Sequence, residues 1–249
     1  QQSEYLRLAG ALKGELRQAL RAGDQSLLGV VLNVLLAWPD TCFRDEQVAH
    51  PHTRRPLAFQ SAVVAESQPT PKEQALIDLC LKEKAGGRRV LVFTVYTGTR
   101  DTTARLKSML DERGFKSAVL RASVEASRRE DWVAEQVERG IDVLICNPEL
   151  VKTGLDMLEF PTIVFMQSGY NVYTVQQAAR RSWRIGQRNP VAVHYLGYED
   201  SAQMECLRLM AKKIAVSQST SGDMPDSGLD ILNQSGDSIE VALAKRLVN

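Results

Sequence analysis

The sequence TPKEQALIDLCLKEKAGGRRVLVFTV, residues 70–95, predicts a helix that leads directly into a buried strand. Thr70-Pro71-Lys72-Glu73 is a capping box with proline at the first helical position, and Gly86-Gly87 ends the helix. The apolar, β-branched run from Val90 to Val95 is typical of a strand that is buried on both faces.

The same alternation of helix and strand continues to about residue 216. The further predicted strands are 116–120, 141–146, 162–166 and 191–196. The further predicted helices are 101–113, 125–139, 174–183 and 201–216. This pattern predicts an α/β fold with a parallel sheet that is covered by helices on both faces, and ligands of such sheets bind at the carboxyl ends of the strands.

The flanking segments follow a different pattern. Leucines at positions 8, 12, 16 and 20 predict one helix, and residues 26–37 predict a second that ends before Pro39. Residues 41–69 show no period and are interpreted as an irregular connection. His50 and His52 are assigned to that loop and not to a metal site, since no cysteine or third histidine is nearby. The predicted organisation is a helical and irregular flank over 1–70, a lobe over 71–216, and a flexible linker with a C-terminal helix over 217–249.

Composition narrows the function classes. Lys and Arg total 31 against 30 for Asp and Glu, so any anion-binding site must be local. The 4 cysteines lack metal-ligand spacing, which favours buried thiols and an intracellular protein. The longest apolar run, Leu27 to Trp38, is too short to cross a membrane. Because the chain begins at Gln1, we expect a fragment of a longer protein.

Positive charge is concentrated between residues 160 and 198, which include Arg180, Arg181, Arg184 and Arg188 and no acidic residue. Arg181 and Arg184 are predicted to share a helical face near the helix end at Gly186. A guanidinium fork suits phosphate oxygens, although a solvated basic face would show the same pattern. No G-x-x-x-x-G-K-[ST] loop is present, so the chain alone lacks the parts for nucleotide hydrolysis.

The flanking residues carry a resemblance to a known family. Gln177-Ala178, Arg181 and Arg184-Ile185-Gly186-Gln187 together resemble motif VI of superfamily 2 helicases, in the form typical of Swi/Snf-related DNA translocases. Gly154-Leu155-Asp156 resembles the Gly-Leu-Asn of motif V, and Tyr170-Asn171-Val172 resembles the Trp-Asn-Pro of the family. The resemblance covers about 72–213 in the family's order. Trp183 departs from it, since histidine is frequent at that position.

The resemblance implies a RecA-like helicase C-terminal lobe that closes over ATP and Mg²⁺, both bound mainly by a first lobe that is missing here. It implies arginine fingers at Arg181 and Arg184. Three residues are implied at the nucleotide cleft: Gln177, Gly154 and Asp156. Five residues are candidates for contacts with the nucleic-acid backbone: Thr94, Tyr96, Thr97, Arg121 and Lys152.

The implied parent is an ATP-dependent helicase or translocase of DNA, with double-stranded DNA favoured and RNA left open. The partners are DNA and the first lobe of the same parent, with no membrane, and the location is cytoplasmic, or nuclear in a eukaryote. This chain alone is expected to be inactive. Two alternatives are a non-catalytic nucleic-acid- or partner-binding module with a degenerate helicase fold, and an unrelated doubly wound enzyme with a small-molecule substrate.

Overall fold

The computed structural model describes residues 1–151, 154–221 and 239–248. Two compact units are present: Pro69–Leu196 form one, and Gln1–Gln68 with Gly197–Asn249 form the other. In chain order the elements are α1 (Gln2–Arg21), α2 (Leu27–Thr41), β1 (Glu46–Ala49), β2 (Pro56–Gln60), α3 (Pro71–Ala85), β3 (Val90–Phe93), α4 (Thr103–Asp111), β4 (Ser117–Leu120), α5 (Arg129–Glu138), β5 (Val143–Cys146), β6 (Thr162–Phe165), α6 (Val172–Ala179), β7 (Ala192–Tyr195), α7 (Ala202–Ser221) and α8 (Ile239–Val248).

The unit of residues 69–196 is built on a five-stranded parallel sheet with strand order β4-β5-β3-β6-β7. The central strand β3 pairs on both sides, with Val90 opposite Val143 on β5 and Thr162 on β6. Helices flank the sheet, and Leu76 of α3 and Leu106 of α4 belong to the apolar core with the strand side chains. The predicted α/β, RecA-like architecture is confirmed, because each of the five strands predicted for the lobe is a strand of this sheet.

The start of α3 confirms the predicted capping box. The Thr70 hydroxyl accepts from the backbone N–H of Glu73, and a Glu73 carboxylate oxygen accepts from the backbone N–H of Thr70 at 2.7 Å. The other Glu73 oxygen lies 2.7 Å from Nε of Arg105 on α4, in a pair whose two side chains are 4% and 11% exposed. Through the pair of Glu73 and Arg105, the cap therefore also joins α3 to α4.

Two predictions for the N-terminal flank are wrong. Helix α2 continues through Pro39 to Thr41, because the buried helix loses only the one hydrogen bond that Pro39 cannot donate. The segment predicted to be irregular contains an antiparallel hairpin of β1 and β2, in which Glu46 pairs with Gln60. His50 lies at the turn of that hairpin, where its N–H donates to the carbonyl of Arg55 at 2.8 Å.

The C-terminal boundary also differs from the sequence-based organisation. Helix α7 extends to Ser221, five residues into the predicted linker, and belongs to the same compact unit as α1 and α2. Helix α8 corresponds to the predicted C-terminal helix. The rest of the predicted linker, residues 222–238, lies outside the described residues. Over the part of the chain that the structure describes, no helix is long and apolar enough to cross a membrane.

Candidate functional site

The loop after β3 is held in place by side chains that follow two neighbouring strands. Oε1 of Gln167 accepts hydrogen bonds from the backbone N–H groups of Val95 and Tyr96, both at 3.1 Å. Nδ2 of Asn147 donates to the carbonyl of Val95 at 2.9 Å. Asn147 and Gln167 were not predicted as site residues. A polar residue directly after a buried strand could have indicated them, because ligands of a parallel sheet bind at the carboxyl ends of its strands.

A cavity of about 370 Å³ lies beside this loop, at the carboxyl ends of β3, β4 and β5. Thr97 and Arg121, two of the predicted nucleic-acid contacts, line it together. Nη1 of Arg121 is 3.7 Å from Oδ2 of Asp101, and the Arg121 side chain is 54% exposed. Thr103, which is only 2% exposed, also lines the cavity, and its buried hydroxyl has no hydrogen-bond partner among the described residues.

The other predicted nucleic-acid contacts are placed differently. Thr94 is fully buried, with its N–H bonded to the carbonyl of Cys146 at 3.0 Å, so its side chain is not on the surface that a phosphate could approach. Tyr96 is half-buried next to the cavity-lining Thr97. Lys152 lies outside the described residues.

The arginine segment is not helical, contrary to prediction. Asn171 caps α6 by accepting from the N–H of Thr174 at 3.1 Å, and the helix ends at Ala179. Beyond it the chain turns tightly, since the N–H of Arg181 bonds to the carbonyl of Ala178 at 3.2 Å. The shared helical face predicted for Arg181 and Arg184 is therefore wrong, and the two arginines lie in different environments.

Arg181 is the fixed member of the pair. Arg181 is 4% exposed, and its Nη2 donates to Oε1 of Gln177 at 3.3 Å. Its carbonyl accepts from the backbone N–H of Met157 at 2.8 Å. Burial lowers the pKa of Arg181, and the positive charge of Arg184 lowers it further, while Asp156 opposes both. Gln177, predicted at the nucleotide cleft, thus contacts a predicted finger.

Arg184 is the accessible member. Its Nε lies 3.2 Å from Oδ1 of Asp156, and the two side chains are 43% and 50% exposed. They line an open surface depression together with Trp183 and Ile185, which are 72% and 103% exposed. Gly154, the third predicted cleft residue, is exposed and adopts a φ of +80°, a left-handed conformation that favours glycine.

The turn that carries Asp156 and the loop that carries Arg184 are joined by hydrogen bonds from residues on either side of Arg184 in the sequence. The bond from the N–H of Met157 to the carbonyl of Arg181 lies on one side. On the other, Nε2 of Gln187 donates to the carbonyl of Leu158 at 2.9 Å and also to that of Ser182. Gln187, the last residue of the Arg-Ile-Gly-Gln motif, is therefore a bracing residue in this structure.

The arrangement suits an anion more than a metal ion. Arg184 presents an exposed guanidinium, which can donate two parallel hydrogen bonds to phosphate oxygens. Within residues 1–151, 154–221 and 239–248, no group of three or more His, Cys, Asp or Glu side chains could hold a metal.

Comparisons with known proteins relate the chain to helicases. Residues 71–186 match the family model described as helicase conserved C-terminal domain. The chain is similar to the bifunctional helicase and thymine dioxygenase JBP2 of Leishmania major, at 28% identity over 58% of this chain and 13% of that protein. It is also similar to the chromatin-remodeling ATPase INO80 of Emericella nidulans, at 32% identity over 49% of this chain and 8% of that protein.

Among solved structures, the C-terminal part of the Fun30 ATPase domain resembles the chain with a TM-score of 0.53 and 20% sequence identity. That resemblance covers 76% of this chain and 54% of the Fun30 chain, and at this identity it shows the fold. The chain spans only about a tenth of the length of the two curated relatives named above.

Proposed function

We propose that residues 71–186, which match the helicase conserved C-terminal domain, act as the second motor lobe of an ATP-dependent DNA helicase or translocase of the Swi/Snf-related type. The observation that carries the proposal is the pairing of a buried, fixed Arg181 with an exposed Arg184 in one braced loop. The first lobe, supplied by the rest of the parent protein, would hold most of the ATP and its Mg²⁺.

In this proposal Arg184 is the group that reaches the terminal phosphate. Bound ATP supplies the phosphoryl group whose charge must be stabilised as it is transferred. Arg184 is exposed enough to reach across a cleft, and its guanidinium carries the charge and the fork that phosphate oxygens require. An arginine in this role is worth about 10³–10⁵ in rate. Arg181, held by Gln177, would keep the base of the loop in place and add positive potential.

The cavity at the carboxyl ends of β3, β4 and β5 is the proposed contact with the nucleic-acid backbone. Arg121 and Thr97 supply a cation and a hydroxyl there, both of which are suited to phosphate oxygens. Tyr96 and Lys152 stay predictions for this surface. The names of the helicase and chromatin-remodeling relatives favour DNA as the nucleic acid and, in a eukaryote, a nuclear location.

The test is ATP hydrolysis by the parent protein, with and without double-stranded DNA, for the wild type, Arg184→Ala and Arg188→Ala. Arg188 is an exposed arginine four residues away, so Arg188→Ala removes the same charge from the same stretch. We expect DNA to stimulate hydrolysis, Arg184→Ala to lower the stimulated rate by at least about 10³-fold, and Arg188→Ala to change it little. Wild-type protein without hydrolysis under any nucleic acid would refute the proposal and favour the non-catalytic module.

A further inference from the structure

The ion pair between Arg184 and Asp156 joins an expected catalytic cation to a carboxylate. Both side chains are about half exposed, at 43% and 50%, so burial does not force them together. An ion pair of this exposure is worth about 0.2–1 kcal/mol, which a phosphate bearing several negative charges can outcompete. The pair is therefore weak enough to open when nucleotide binds.

The position of Asp156 is fixed by the surrounding backbone. Met157 and Leu158, the next two residues, are hydrogen-bonded to Arg181 and Gln187, which lie on either side of Arg184. The carboxylate is thus held opposite the Arg184 side chain, whose Nε lies 3.2 Å from Oδ1 of Asp156. Arg181 differs, because it is buried and bonded to Gln177.

Resting on the proposed function, we propose that Asp156 is a positioning residue that holds the Arg184 finger in a retracted, charge-neutralised position until ATP displaces it. Asp156 then acts through Arg184 and does not itself bind the nucleotide, which revises the cleft role implied by the family resemblance. Its carboxylate opposes premature contact between Arg184 and phosphate by occupying the guanidinium and neutralising its charge. Hydrolysis without DNA is thereby kept low.

Removing the carboxylate should increase the affinity for nucleotide. Asp156→Asn keeps the shape of the side chain and removes its charge. We expect it to tighten binding of the Mg²⁺ complex of a non-hydrolysable ATP analogue, and to raise DNA-independent hydrolysis, by about 1.4- to 5-fold each. Asp156→Glu retains a carboxylate and should stay closer to wild type than Asp156→Asn.

A matched control tests whether any lost negative charge has the same effect. Glu159 belongs to the same turn, is 62% exposed, and pairs with Arg89 at 3.0 Å. Glu159→Gln removes one carboxylate without touching Arg184, so we expect analogue affinity to stay at the wild-type value. Equal tightening by Glu159→Gln and Asp156→Asn would overturn the proposal, because a general charge effect would explain both.

The decisive measurement is a double-mutant cycle by titration calorimetry on the parent protein, with the variants Asp156→Asn, Arg184→Ala and the pair together. If Asp156 acts through Arg184, Asp156→Asn tightens analogue binding in the wild type and leaves it unchanged in the Arg184→Ala background. Equal tightening in both backgrounds, or weaker binding on Asp156→Asn, overturns the inference.

Failure of the proposed function gives a different result. A wild-type parent that neither binds the analogue nor hydrolyses ATP removes the motor role and this inference with it. A wild-type parent whose hydrolysis depends on Arg184, but whose Asp156→Asn variant behaves like Glu159→Gln, overturns the inference alone.

Discussion

Gln167 holds the loop that leads to the proposed nucleic-acid cavity, and replacing it should release that loop without unfolding the sheet. Gln167 is 4% exposed, and its Oε1 accepts hydrogen bonds from the backbone N–H groups of both Val95 and Tyr96 at 3.1 Å. Gln167→Met keeps the length of the side chain and removes the acceptor. Two hydrogen bonds at a net value of about 1 kcal/mol each give about 2 kcal/mol of local stability.

The assay is amide hydrogen exchange of the parent protein, followed in peptides that cover residues 93–98. A loss of about 2 kcal/mol in the local opening free energy raises the exchange rate about 30-fold, because 1.36 kcal/mol corresponds to a factor of ten. Peptides from β5 and β6 should keep their protection, since both strands retain their ladders to β3.

Gln74→Met serves as the control for the chemistry of the substitution. Gln74 is exposed on α3, where its Nε2 donates to Asp78, and it makes no bond to the loop. Exchange at residues 93–98 should be unchanged in this variant. If Gln167→Met folds normally and also leaves exchange at residues 93–98 unchanged, the loop does not depend on the Gln167 acceptor and the reasoning is refuted.

Two further predictions concern charge. Arg121→Ala should weaken binding of double-stranded DNA by the parent and lower the slope of log Kd against log salt by about 1, whereas Arg139→Ala on the exposed Arg139–Glu135 pair should leave the slope unchanged. The hydrogen bond from Arg88 lowers the pKa of Glu83 below its ordinary value of 4.5. Ionised Glu83 therefore stabilises the fold fully above pH 4.5, and this stabilisation is lost as the pH falls through the lowered pKa. Urea unfolding between pH 7 and pH 2.5 should therefore show a smaller acid loss for Glu83→Gln than for the wild type; an identical loss would contradict this assignment.

The sheet was predictable from the sequence because its signals are local. The three central strands of the lobe were predicted from short, mainly apolar runs at 90–95, 141–146 and 162–166, and the cap at Thr70 and Glu73 depends on residues three apart. The end of α6 was not predictable in the same way. The predicted last turn of the helix is a loop instead, and Gln187 of that loop donates a hydrogen bond to the carbonyl of Leu158. This contact joins residues 29 positions apart in the sequence.

The site was only partly predictable for the same physical reason. Motif resemblance selected Arg184 and Asp156 separately, but their pairing depends on how two loops pack, which no local pattern encodes. The hairpin of β1 and β2 was missed because its turn contains no glycine, and Arg54 adopts the left-handed φ of 60° in its place. The family resemblance made Thr94 a candidate for nucleic-acid contact, but its burial could not be predicted, since a polar residue at a strand end gives no information about what covers it.

The two hydrogen bonds that brace the 157–158 turn against the 181–187 loop have a consequence for natural variation. Because the bond from Met157 to Arg181 uses only backbone atoms, it persists through side-chain substitution, whereas the bond from Gln187 to Leu158 requires an amide at position 187. Among related sequences, position 187 should therefore tolerate little replacement. Position 184 should stay arginine wherever the motor is active, whereas position 156 should vary, with a neutral residue where the motor is permanently active.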